Sequence, residues 1–114
     1  VSDLSVGHML EEVARWDGVW RFSNAATVHN LMQYTIALCG EAGEFANVVK
    51  KHVRSSDENA AGELVDARSK MLEELVDVQI YFTKLLLVLG CDASEFREAW
   101  DAKHQVLRER WGAG

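Results

Sequence analysis

Apolar residues recur along most of this chain at intervals of three and four, the spacing of helices buried on one side. The first such stretch covers residues 3–17, where Leu4, Met9, Leu10, Val13 and Trp16 form the stripe and Ser2 or Asp3 can cap it. From Asp17 to Ala26 the period breaks, and Gly18, Ser23 and Asn24 mark a loop carrying Trp20 and Phe22. Large aromatics on a loop are either plugs for the core, their commoner fate, or stacking surfaces for a flat ligand. A second helix is predicted from about Val28 to Val53, with Leu31, Ile36, Leu38, Phe45, Val48 and Val49 on its buried side. Residues 54–63 are polar, lack an apolar period and read as a linker that connects helices rather than domains. A third helix is predicted from about Leu64 to Leu89. Gly90 ends it, and Asp92-Ala-Ser-Glu95 has the form of a capping box opening a fourth helix that runs to about Trp111. In that last helix Phe96, Trp100, Val106 and Leu107 are available for packing.

The pattern predicts an all-α fold, a helical bundle of about four helices, in one domain over residues 1–114. The absence of proline agrees with long helices, and an apolar share of 48% is that of a chain with a folded core. One segment exceeds what a single chain can cover. From Val76 to Leu89 the third helix is apolar on nearly every side, and such a helix must be covered all round. Four helices cannot do that alone, so a homo-oligomer is expected.

Charge narrows the function. The net charge is −6 and no basic run is longer than Lys50-Lys51, which argues against a nucleic-acid partner. The longest apolar run, Leu85 to Leu89, is too short for a bilayer, and no signal-peptide pattern is visible at the N-terminus, so a soluble cytoplasmic protein is expected. Cys39 and Cys91 lie in apolar context without metal-ligand spacing and read as buried free thiols.

The candidate chemistry lies in two acidic pairs. Glu41 and Glu44 stand three residues apart in Gly40-Glu41-Ala42-Gly43-Glu44, and Glu74 and Asp77 do so in Glu73-Glu74-Leu75-Val76-Asp77. Residues i and i+3 share a helix face, so two facing helices would gather four carboxylates in one small volume. Such a cluster requires a counter-charge, and the simplest is a hard divalent cation with oxygen ligands, Mg²⁺ or Mn²⁺. Gly40 and Gly43, each costing about 1 kcal/mol in a helix interior, suggest close approach of another helix or a ligand there. A di-iron or di-manganese oxidase would need two Glu-x-x-His sequences, and the one acid followed by histidine at that spacing is Asp101 with His104. Phosphoryl chemistry on a polyphosphate needs only carboxylates and basic residues.

Glu41-x-x-Glu44, a gap of 29 residues, and then Glu74-x-x-Asp77 resembles the MazG-like, all-α nucleoside triphosphate pyrophosphohydrolases. "LCGEAGEFANVVKK" looks like that family's first metal helix and "EELVDVQIYF" like its second, and the likeness spans residues 28–111. The resemblance implies a homodimer or homotetramer of helical subunits that splits (d)NTPs into nucleoside monophosphate and pyrophosphate, often to clear unwanted nucleotides. It implies Glu41, Glu44, Glu74 and Asp77 as Mg²⁺ ligands, with Glu41 or Glu44 also orienting or deprotonating the attacking water. Tyr81 matches an aromatic that contacts the nucleotide. Lys103 and Arg110 match two positions of a Lys-x3-Asn-x2-Arg pattern, in which Leu107 replaces the Asn, and Gly40 stands where some relatives have a further Glu. Lys51, Lys103 and Arg110 are candidates for holding phosphates, and Trp20, Phe22 or His29 for lining a base pocket. The alternative is a non-catalytic oligomeric helical module that binds without turnover, which Leu107 and Gly40 favour.

Overall fold

The computed structural model describes residues 3–55 and 61–112, with residues 55 and 61–66 by backbone alone. The described residues form four helices and no strand: α1 (Val6–Trp20), α2 (Val28–Ser55), α3 (Ala61–Val88) and α4 (Ala93–Trp111). The all-α bundle read from the apolar period is therefore present. The residues of the expected linker that fall at 56–60 lie outside the described residues, and α2 and α3 extend further into that stretch than their apolar stripes do.

Local signals set most helix ends. The Ser5 hydroxyl accepts the His8 amide at 3.1 Å, so α1 starts at Val6, later than the expected Asp3. At its other end α1 continues to Trp20, three residues past the expected stop. There Arg21 turns left-handed (φ 60°), and the Phe22 amide returns to the Asp17 carbonyl at 2.8 Å. The extra turn adds Trp20 to the stripe of Val13, Trp16 and Asp17, in spite of the weak break at Gly18. Gly90 (φ 66°) closes α3, with the Cys91 amide donating to the Leu86 carbonyl at 2.9 Å. Asp92 caps α4 as its sequence suggested, accepting the Glu95 amide at 2.8 Å.

α3 is the centre of the bundle. α2 packs most extensively against it and α1 packs against it as well, whereas α4 meets α1 only briefly and touches α3 through Phe96, edge-on to Phe82 at 5.5 Å. No residue of α4 is buried. The fold is open for its length: the radius of gyration is 17.4 Å, against about 13 Å for a compact domain of this size. The accessible area is 8614 Å², against about 6300 Å² for a folded monomer of this mass.

Several expected core positions are consequently exposed. Ile36 is 65% accessible, Trp20 62% and Phe22 53%, so the two aromatics are not core plugs here. Leu31 is also exposed, while Leu38, Phe45, Val48 and Val49 are half-buried against α3. Cys39 is exposed and Cys91 half-buried, both free, because α2 turns Cys39 away from its one covering neighbour. A Cβ added at Gly40 or Gly43 would meet nothing within 4 Å, so no part of the described chain makes the close approach expected there.

Candidate functional site: a carboxylate cluster beside an aromatic cleft

Packing of α2 against α3 brings Glu41, Glu74 and Asp77 together, with one carboxylate oxygen from each lying within 4.8 Å of the others. Glu44 is exposed and stands outside this trio, although its charge still reaches Glu41. Glu74 is 8% accessible and takes an ion pair from Lys70 at 3.2 Å, while the exposed Glu73 receives the same ammonium at 3.7 Å. Partial desolvation pushes the Glu41 carboxyl above its ordinary range, and the charges of Asp77, Glu74 and Glu44 push it the same way. Lys70 is in turn held above the usual lysine range by its hydrogen bond and charge attraction to Glu74, with Glu73 adding to both. The single ammonium leaves the trio with surplus negative charge.

The donor set suits a small hard cation. At metal–oxygen distances of about 2.0–2.1 Å, the oxygens of an octahedron lie roughly 3 to 4 Å apart. Small rotamer adjustments would bring the three oxygens to that spacing. No sulfur or imidazole belongs to the cluster, which fits Mg²⁺ or Mn²⁺ better than softer metals.

A cleft of about 460 Å³ opens beside the trio, with Glu41 and Asp77 on its wall. α1 and the segment after it supply Trp16, Asp17, Trp20 and Phe22, and α3 supplies Ile80, Tyr81 and Lys84. Trp16 and Trp20 stack at 5.3 Å between centroids, and Phe22 meets Trp20 edge-on at 6.5 Å. Along α3, Asp77, Tyr81 and Lys84 recur at i, i+4 and i+7 and therefore share one stripe.

Lys84 and Asp17 form the buried end of the cleft. Their ion pair measures 3.0 Å, with side chains 8% and 3% accessible. The ammonium also lies 4.5 Å from the Phe22 ring centre, 5.1 Å from that of Tyr34 and 5.4 Å from that of Tyr81. Asn24 donates to the second Asp17 oxygen at 2.9 Å. Asn30 of α2 donates to the Ser23 hydroxyl at 3.1 Å and the Ala25 carbonyl at 3.0 Å, and the Tyr34 hydroxyl donates to the Ser23 carbonyl at 2.6 Å. Burial pushes the Tyr34 phenol upward while the Lys84 charge pulls against it. These bonds tie residues 23–25 to α1 and α2 beside Phe22, the one residue of the segment that lines the cleft.

The sequence-predicted residues divide accordingly. Glu41, Glu74 and Asp77 converge, and Tyr81, Trp20 and Phe22 line one cleft with Glu41 and Asp77, whereas Glu44 stands just outside the trio. Lys51, Lys103, Arg110 and His29 are exposed and none lines the cleft. Sequence reading missed Trp16, Asp17 and Lys84 as site residues. One signal was available for Lys84, the single charged residue between Val78 and Leu89, where a lysine requires a partner.

No family model, curated protein or solved structure matches this chain, so the likeness to the MazG-like enzymes stands on the motif residues themselves.

Proposed function

We infer that the chain is a divalent-cation-dependent nucleoside triphosphate pyrophosphohydrolase, giving a nucleoside monophosphate and pyrophosphate. The observation carrying this reading is the convergence of Glu41, Glu74 and Asp77 at the edge of an aromatic-walled cleft. Surplus carboxylate charge next to exposed stacked tryptophans suits a ligand that is polyanionic at one end and flat at the other, with a cation between the charges. The spacing of the acidic pairs, which resembles the MazG-like enzymes, points the same way.

Glu41, Glu74 and Asp77 would hold the cation, Mg²⁺ or Mn²⁺. When bound it would neutralise the polyphosphate and make a coordinated water more acidic. Glu44, outside the trio and one turn from Glu41, is left to orient the attacking water and accept its proton. The new bond joins the water oxygen to the α-phosphorus, and the bond to the bridging oxygen breaks as pyrophosphate leaves in line. Trp16, Trp20 and Tyr81 would stack on or flank the base and sugar.

The same reading makes the protein a homo-oligomer. Accessible area well above that of a compact monomer, the uncovered Ile36, Leu75 and Val76, and an α4 without a buried residue all support a second copy as the missing cover. Lys103 and Arg110 would then reach phosphates in a cleft of the assembly rather than in that of their own chain.

Pyrophosphate release from a panel of dNTPs with Mg²⁺ tests the reading. Glu74→Gln and Asp77→Asn should each lower the rate at least about 100-fold, with the helical circular-dichroism signal unchanged. A wild-type protein that leaves every nucleotide intact would sink the enzyme reading. In that case the non-catalytic module, which Leu107, Gly40 and the distance of the basic residues from the cleft favour, takes its place. Calorimetric titration with Mg²⁺ separates them further, because such a module has no need of the cation.

A further inference from the structure

The proposed chemistry uses one end of the cleft and leaves the other unexplained. Seven residues beyond Asp77, about 10 Å along the helix axis, a lysine is enclosed with its counter-ion. A buried pair of this kind adds little net stability compared with apolar side chains of the same volume. Its position suggests recognition instead: Lys84 lines the same cleft as the stacked Trp16 and Trp20, which are 43% and 62% exposed and offer a flat ligand its faces.

The hydrogen-bonding capacity at this end is one-sided. Lys84 has three N–H donors, and Asp17 Oδ1 accepts from one of them, while aromatic rings, at best weak acceptors, surround the rest of the ammonium. Asp17 is 2% accessible, and its oxygens are engaged by Lys84 and Asn24. Asn24 Oδ1 is buried without a partner, but Asn24 does not line the cleft. Glu12, at the exposed rim, has one carboxylate oxygen paired with His8 at 3.0 Å, and Tyr81 adds a phenolic hydroxyl to the lining. A ligand edge arriving between the tryptophans and Lys84 therefore meets a cationic donor whose own carboxylate partner is already engaged. A carbonyl oxygen satisfies that donor. An exocyclic amino group is repelled by the ammonium and leaves its own N–H groups unpaired.

We propose that Lys84, oriented by Asp17, selects nucleotides whose base carries an oxo group at the edge facing it. Guanine is then preferred to adenine, and uracil or thymine to cytosine. This deepens the pyrophosphohydrolase reading and rests on it, since it assigns the specificity of the same cleft. Lys84 is a binding residue by this assignment and Asp17 a positioning residue acting through it.

The test is calorimetric titration of the full chain, with Mg²⁺ present, using α,β-methylene analogues of dGTP, dATP, dUTP and dCTP, which do not turn over. A hydrogen bond from a charged donor predicts at least about tenfold tighter binding of the guanine and uracil compounds than of their amino counterparts. Lys84→Met should bring each ratio to within about twofold. The charge-neutral double variant Asp17→Asn with Lys84→Met should do the same, and it keeps the comparison available if the single variant does not fold. A change confined to overall affinity, with the base ratios preserved, overturns the assignment and leaves the pair structural. Equal binding of all four compounds by the wild type also overturns it while leaving the enzyme reading intact. No binding of any of the four defeats both readings together.

Discussion

The two flanks of α3 invert the usual distribution of polar and apolar groups. One stripe carries Glu74, Asp77, Tyr81 and Lys84, and two of its three charged members, Glu74 and Lys84, are buried, at 8% and 7% accessibility. The other carries Leu72, Leu75 and Val76, which are 44%, 43% and 57% accessible, followed by Leu89 at 65%. In a self-sufficient monomer the assignment would run the other way, because apolar area gains about 25 cal/mol per Å² on leaving water and a charge loses its hydration. The polar flank is made tolerable by specific partners: Lys70 for Glu74, and Asp17 with three aromatic rings for Lys84. The apolar flank has no such compensation within the described chain. The lesson is that α1, the 21–27 segment, α2 and α3 supply the polar site with its partners from within one chain, whereas the hydrophobic part of the structure requires a second copy under the reading proposed here.

The comparison breaks most sharply at the ion pair. Lys84→Met leaves Asp17 charged and enclosed, and should cost about 3–5 kcal/mol in a urea titration. Adding Asp17→Asn should recover most of that, because the new amide can still accept from Asn24 and no buried charge remains. A single variant as stable as the wild type would show that water reaches this end of the cleft. On the opposite flank, Leu75→Glu should weaken self-association at least about tenfold, as loss of one anchor at an interface centre does. Sedimentation velocity would show lighter species while the ion pair and cleft stay as they are. A wild-type protein that sediments as a monomer at all concentrations would refute the oligomer reading.

The smallest effect concerns Glu41. Its carboxyl is raised above the ordinary 4.5 by partial desolvation and by Asp77, Glu74 and Glu44, so the folded state holds this proton more tightly than the unfolded chain does. Its contribution is therefore greatest below about pH 4.5 and is lost as pH rises through the higher folded value. In chelator, Glu41→Gln should gain in melting temperature over the wild type as pH rises through that window. Added Mg²⁺ should reverse the order, since the wild type then keeps a ligand that the variant lacks. A difference between the two proteins that ignores both pH and Mg²⁺ would mean that the trio is too widely separated to act together.

Much of the fold was legible in the chain. The three-and-four apolar period marked four helices, and Gly90 with Asp92-x-x-Glu95 marked the α3–α4 turn closely, because these signals act within a few residues of where they are read. The acidic pairs were legible too. What only the tertiary structure decided follows from direction. Residues three apart on a helix differ by about 60° around its axis, so one neighbouring helix can take Glu41 and pass by Glu44, as α3 does. Spacing defines a face but not which side of it a partner occupies. The same limit hid the Asp17–Lys84 pair, whose members are 67 residues apart in the chain and meet only because α1 packs on α3. It also hid Trp16, whose stacking on Trp20, a residue the sequence had offered as a base-pocket candidate, appears only once α1 is placed along the cleft.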